Sequence, residues 1–168
     1  KDADLKLKDN ILSVATDSIM DPYFSDNIFK EMIEMHPSES FCYWRYAEFM
    51  MMKNSPAFVQ YMEKALEINP DIEAGWGVLY DWHLSNNDKD KAETVLKEGL
   101  KHFPENGKFL YDLADLYIEQ KKNTEAIELL QKATVAFKSA SSFELASFVQ
   151  GAIGDIYSSM KETDKAFV

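Results

Sequence analysis

The sequence predicts an all-α fold, an α-solenoid of stacked antiparallel helix pairs. Three observations carry that expectation. Pro37, Pro70 and Pro104 stand 33 and 34 residues apart, and each comes four residues after the second member of a matched pair (Met32-Ile33, Ala65-Leu66, Gly99-Leu100). Proline cannot continue a helix, so each marks a helix end. Between these marks, large, apolar and small residues recur at spacings of three, four and seven, which places them on one face of a helix. Finally, the chain holds only six Gly and five Pro, too few for the turns of an all-β sandwich, whereas Ala, Leu, Lys and Glu, all good helix formers, fill the intervals.

Taken in order, Leu5, Ile11, Leu12, Ala15 and Ile19 suit an amphipathic helix over 5–20. Asp21-Pro22 breaks it, and Ser25 or Asp26 is expected to cap a second helix ending near His36. Residues 1–38 thus read as an N-terminal helical pair, either a degenerate repeat or a cap. Residues 39–72 hold Tyr43, Tyr46-Ala47, Met50, Phe58, Met62, Ala65 and Pro70, in register if the loop before Pro56 is one residue short. Residues 73–106 hold Trp76, Leu79-Tyr80, His83, Ala92, Leu96, Gly99 and Pro104. Residues 107–140 hold Leu110, Leu113-Ala114, Tyr117, Ala126, Leu130 and Ala133. After an insertion of about six residues, Ser141 to Ala146, a truncated unit over 147–168 holds Gln150, Ile153-Gly154, Tyr157 and Ala166. Ala114, Gly154 and Ala126 are expected to let neighbouring helices approach closely. About nine or ten helices and no strand follow.

Composition excludes several classes. With 168 residues, 46% apolar and 13% aromatic, the chain has too much to bury for wholesale disorder. At this length a globular chain buries roughly 70% of its unfolded surface and needs no disulfide or metal to fold. Eighteen basic against 29 acidic residues give a formal charge of -11. Divided at residue 84, the halves carry 7 and 11 basic against 15 and 14 acidic residues, so -8 and -3. Neither offers the basic footprint of a nucleic-acid binder. Cys42 is the single cysteine, which fits a reducing compartment and equally a disulfide-free periplasmic protein. No apolar run approaches a membrane span. A chain that starts at Lys1 and stops within a helical pattern reads as part of a longer protein, and its compartment is left open between cytoplasm and periplasm.

The repeating pattern resembles the tetratricopeptide repeat, a helix–turn–helix of 34 residues with a large residue, Leu, a small residue and Tyr on its first helix and Ala, an aromatic or Leu, Ala and Pro on its second. The resemblance spans about Ser40 to Val168 and is clearest over Gly107–Ala140. Tyr80 and Gly99 depart from it where a small residue and Ala are usual, and His83 where Tyr is usual. It implies a right-handed superhelix of helix pairs and a non-catalytic protein–protein interaction scaffold. The stretch Tyr43-Trp44-Arg45-Tyr46-Ala47-Glu48-Phe49 also looks like the related half-a-TPR repeat of RNA-processing scaffolds. A structural spacer or oligomerisation segment of a larger protein is a further alternative.

No catalytic, metal or cofactor site is expected. His36, His83 and His102 are scattered, without a second ligand at a spacing of three or four. His36 and His102 sit at helix C-termini, where an imidazolium interacts well with the helix dipole. Asn86-x-Asp88-x-Asp90 imitates the start of a calcium loop, but Lys91 and Lys97 occupy the places of the required Gly and Glu, so a connecting turn with an N-cap is expected. Neither a Gly-rich phosphate loop nor a Gly-x-Ser-x-Gly elbow occurs. Met50 and Met62 belong to the packed face, leaving Met51 and Met52 as candidates for exposure.

The resemblance also implies which side chains line the concave groove. These are Trp44 and Glu48 in the first array unit, Asp81 and Leu84 in the next, Lys108, Tyr111, Asp115 and Ile118, with Glu119, in the third, and Phe148 and Asp155 in the last. Glu48, Asp81, Asp115 and Asp155 share one place in the repeat and are all acidic. Chaperone-binding members of the family instead carry cations and amides thereabouts to clamp a carboxylate. An acidic column disfavours such a ligand and favours another protein presenting a basic or amphipathic segment, with Tyr111, Trp44 and Phe148 as aromatic anchors. Direct contact with nucleic acid is not expected.

Overall fold

The computed structural model describes residues 22–166, with side chains over 25–161. Eight helices and no strand occur among the described residues. The helix expected over 5–20 lies outside them. The chain divides into two compact units, Lys1–Pro70 and Asp71–Val168.

The first unit contains α1 (Pro22–Met35), α2 (Ser40–Met52) and α3 (Phe58–Ile68). Helix α1 starts at Pro22, so neither Ser25 nor Asp26 caps it, contrary to the sequence reading. Proline is well placed in a first turn because the amide it lacks has no partner there. Asp26 is spent otherwise. The Tyr46 hydroxyl donates to its Oδ1 at 2.6 Å, and Lys30 pairs with Oδ2 at 2.7 Å. Lys30 and then Tyr46 hold this carboxyl below its ordinary range. Around that anchor Phe29, Met32, Cys42, Tyr46 and Phe49 form the core, with Phe29 stacked on Tyr46 at 5.5 Å. Met62 is buried, Met50 is packed against the cluster, and Met51 and Met52 are exposed.

The second unit contains α4 (Glu73–Ser85), α5 (Lys89–His102), α6 (Gly107–Glu119), α7 (Asn123–Ser139) and α8 (Phe143–Ala166). Each helix packs on the next in sequence. Tyr80, Ala92, Leu96, Phe109, Leu113 and Leu116 form one cluster. Leu110, Ala114, Ala126, Leu130, Ala133, Val149 and Ile156 form the other. Gly99 is glycine for a steric reason, since a Cβ there would meet Phe109 and Trp76 at 3.2 Å. Gly154 is different: it is exposed, and among the described residues nothing lies within 4 Å of where its Cβ would be. The close approach expected of it is not made among the described residues.

The prolines act as the sequence implies. Pro37, Pro70 and Pro104 each stand two residues past the end of α1, α3 or α5. Lys138 occupies the next such place, and without proline α7 runs on to Ser139, 17 residues in all. The expected insertion at 141–146 is correspondingly absorbed, since Phe143 already begins α8. That helix then continues for 24 residues without the turn a final helix pair would need.

Four helices close in the same way. Asn54, Asn87, Lys121 and Ser141 have φ between 52° and 60°. In each case the amide of the following residue donates to a carbonyl five residues back, as from Asp88 to His83 and from Lys122 to Tyr117. This is the Schellman closure, which satisfies carbonyls that the helix end leaves open. Asparagine tolerates left-handed backbone, but lysine is poorly suited to it. Lys121→Gly is therefore expected to stabilise the protein by about 0.5–1 kcal/mol, read as a higher denaturation midpoint with an unchanged slope. The next helices start on side-chain caps. Asp88 accepts from the Lys91 amide at 3.3 Å, and Asn106 accepts from the Phe109 amide at 3.1 Å. The calcium-like stretch is thus a turn with a cap.

Candidate functional site

Helical spacing sets the site. Asp112, Asp115 and Glu119 lie three and seven residues along α6, so they share one side of it, and Lys108 is one turn before Asp112. Helix α4 supplies Tyr80 and Asp81. Lys108 Nζ reaches Asp112 Oδ2 at 2.5 Å and lies 5.5 Å from the centre of the Tyr80 ring, which ties α4 to α6. Tyr80 is buried. Burial, and then the charges of Asp112, Asp115, Asp81 and Glu119, push its phenol far above the ordinary tyrosine range. Four carboxylates therefore act on one point.

Their own titration shows the same crowding. Burial raises Asp112 above the usual carboxylate range; Lys108 opposes the shift, and Asp81 and Asp115 add to it. Partial desolvation of this otherwise exposed side chain, followed by the Glu119 charge, raises Asp115, with Lys89 in opposition. Lys89 is bound to Glu119 at 2.5 Å. The two nearby lysines are thus taken up by Asp112 and Glu119, and among the described residues neither Asp81 nor Asp115 has an ion pair. Glu93 of α5 provides the contrast. It accepts from Gln120 at 2.7 Å and pairs with Lys97 at 2.5 Å, and these partners, Gln120 first, hold its carboxyl below the usual range. Glu93 is structurally satisfied; the α4–α6 acids are short of cations.

Apolar surface adjoins this cluster. Tyr111 is half-buried, and its ring lies 5.9 Å from that of Phe148 on α8. Phe148 is 62% exposed, and Leu84 at the end of α4 is exposed too. Ile118 packs against the core cluster of Leu110 and Leu130, so only part of it faces outward. Asp155 is exposed on α8.

Of the residues singled out in sequence, Asp81, Lys108, Asp115 and Glu119 come together, with Tyr111 and Phe148 in mutual contact. Trp44 and Glu48 belong to the first unit. There both are half-buried on α2, and Arg45 holds Glu48 at 2.6 Å. Asp112 and Tyr80 were missed. Asp112 was legible as the turn of α6 preceding Asp115. Tyr80 stands where the repeat usually has a small residue, and that departure was its signal. His83 is buried; His102 stacks on Trp76 with ring centres 6.0 Å apart. Among the described residues no group of His, Cys, Asp and Glu is arranged to hold a metal ion, and no helix is long and apolar enough to cross a membrane.

A tetratricopeptide-repeat family model matches residues 83–141, from the end of α4 to the turn after α7. Over that stretch the chain carries tetratricopeptide repeats, and the helix-pair fold extends beyond it. Such repeats form protein–protein interaction scaffolds and are generally non-catalytic. Solved structures support the fold. A MamA protein superposes with a TM-score of 0.61 at 14% identity, covering 93% of this chain and 87% of that one. The pilF protein of Pseudomonas aeruginosa gives 0.57 at 16% identity, over 96% and 69% of the two chains. YrrB, described as a TPR protein with an unusual peptide-binding site, gives 0.54 at 18% identity, over 77% and 70%. At these identities the likeness is one of fold. No curated protein matches the chain in sequence.

Proposed function

We propose that the second unit is a protein-interaction module that holds a basic, amphipathic segment of a partner protein against α4, α6 and α8. One observation carries the reading: the charges of Asp112, Asp115, Asp81 and Glu119 all act on Tyr80, while the two lysines beside them are held by Asp112 and Glu119. A cationic side chain arriving there relieves mutual repulsion that the fold itself leaves standing. Tyr111, Phe148 and Leu84 supply apolar area beside the charge, the combination in which interfaces concentrate their energy. The peptide-binding site named for YrrB is in keeping with this use of the fold. Trp44 and Glu48 form a separate candidate contact on the first unit. No catalytic step and no cofactor is assigned to either surface.

The test is fluorescence anisotropy with a labelled helical peptide carrying Lys and Arg on one side and Leu and Phe on the other. Binding that weakens as salt rises supports the reading. Equal binding of a counterpart with Glu in place of each cation would refute it. A pH dependence follows. Asp112 and Asp115 titrate above the usual carboxylate range in the free protein, and a bound cation pulls them back down. Binding thus releases protons, and affinity falls as pH is lowered through that raised range. Above it, affinity is level. Calorimetry in two buffers of different ionisation heat reads the released protons directly.

A further inference from the structure

Lys108 shows how this fold seats a cation. Its ammonium is bound by Asp112 at 2.5 Å and stands 5.5 Å from the centre of the Tyr80 ring, so a carboxylate and an aromatic face share one charge. Lys97 and Lys122 use the Tyr117 ring similarly, at 5.6 and 4.9 Å. The same two kinds of group recur along α6. Tyr111 and Asp115, four residues apart, are neighbours on one side of the helix, and the Phe148 ring of α8 lies 5.9 Å from that of Tyr111, inclined at 51°. Burial and then the Asp115 charge, ahead of that of Asp112, push the Tyr111 phenol above its ordinary range, so the Asp115 carboxylate is felt at that ring. Among the described residues no cation stands over Tyr111 or Phe148, and Asp115 has no ion pair. The place that Phe148 holds in its repeat is an open one. Ala74 and Lys108 hold it in the two preceding repeats, and both are exposed with later helices in place.

We propose that Tyr111, Phe148 and Asp115 form a seat for a guanidinium group, taken by an arginine of the partner's basic segment; this rests on the function proposed above and adds which cation the segment must present. A guanidinium is flat, weakly hydrated and donates from its edge in pairs. It lies on the face of an aromatic ring while two N–H donors at its edge reach the two oxygens of one carboxylate. Phe148, 62% exposed, offers the ring face, and Asp115, exposed one turn from Tyr111, offers the oxygens. An ammonium meets the same carboxylate as a point charge and surrenders more hydration to lie on a ring. The chain itself supplies the cation for Asp112 and Tyr80. For Asp115 and the two rings it comes from the partner, and their combination of flat face and paired acceptors selects arginine over lysine.

Two versions of the basic amphipathic peptide, alike except that every cation is Arg in one and Lys in the other, test this by anisotropy on the whole chain. The native protein is expected to bind the Arg version about fivefold more tightly, the order of one cation–π contact with its paired hydrogen bonds. Phe148→Leu keeps an apolar side chain at an exposed position and removes the ring, and is expected to bring the two affinities to within about twofold of each other. Asp115→Asn is expected to shrink the preference too, because an amide oxygen replaces a pair of acceptors. Circular dichroism checks that both variants keep the native helicity. In NMR spectra of the bound Arg peptide, the ring current is expected to move the side-chain Cδ protons of one arginine upfield. Equal binding of the two peptides by the native chain, or a preference untouched by Phe148→Leu, overturns the seat while the acidic interface stands. Binding of neither peptide overturns both.

Discussion

Converting Asp81 and Asp115 together to lysine is expected to lower affinity for a basic, amphipathic segment at least tenfold, about 1.4 kcal/mol, and to flatten its salt dependence. The two acids are chosen because Lys108 and Lys89 already engage Asp112 and Glu119, leaving Asp81 and Asp115 as the charges open to a partner. Both are exposed on helix surfaces, so the change leaves the core intact. It also places cations beside Asp112, whose carboxyl then titrates lower. Glu93→Gln, on a carboxylate already held by Gln120 and Lys97, is the control and should leave binding within twofold. A double variant that binds as the native protein does would remove the acids from the interface. Anisotropy at two salt concentrations distinguishes the outcomes.

Leu130→Ala is expected to have the largest effect on stability. Leu130 is fully buried within the cluster of Leu110, Ala114, Ala126, Ala133, Val149 and Ile156. Ala126 and Ala133 beside it are too small to fill the gap, so the cost is set by how far the larger members of the cluster relax into it. Buried Leu→Ala changes of this kind cost about 2–5 kcal/mol, and in a repeat array a loss in one unit weakens its neighbours through their shared surfaces. Thermal unfolding followed by circular dichroism should show the midpoint falling by about 10 °C or more. A fall of a degree or two would mean that α7 does not anchor the stack.

What the sequence revealed about this fold divides by the kind of force involved. Helix ends set by proline, and faces set by spacings of three and four, depend on local geometry and were legible at Pro70, Pro104, Leu110 and Ala126. The start of α1 was misread because Ser25 and Asp26 are good caps in isolation, whereas Asp26 is bound to Tyr46, twenty residues away. The run-on of α7 was implicit in the missing proline at 138 but read as an insertion. In the candidate site, repeat register located Asp81 and Asp115. It did not give Asp112 or Tyr80, whose roles arise only when Lys108 of α6 crosses to the Tyr80 ring of α4. Nor could composition separate Glu93, satisfied by partners from elsewhere in the chain, from acids left wanting a cation.

The most direct measurement is amide chemical-shift mapping by NMR, with the basic amphipathic peptide titrated into the intact, isotope-labelled chain. Shifts that saturate together at Asp81, Leu84, Tyr111, Asp115 and Phe148, and that shrink as salt is added, are the expected result. Shifts confined to the outward sides of α5 and α7, around Glu98 and Glu128, or none at all at a peptide concentration that saturates anisotropy, would contradict a partner seated on the acids of α4 and α6.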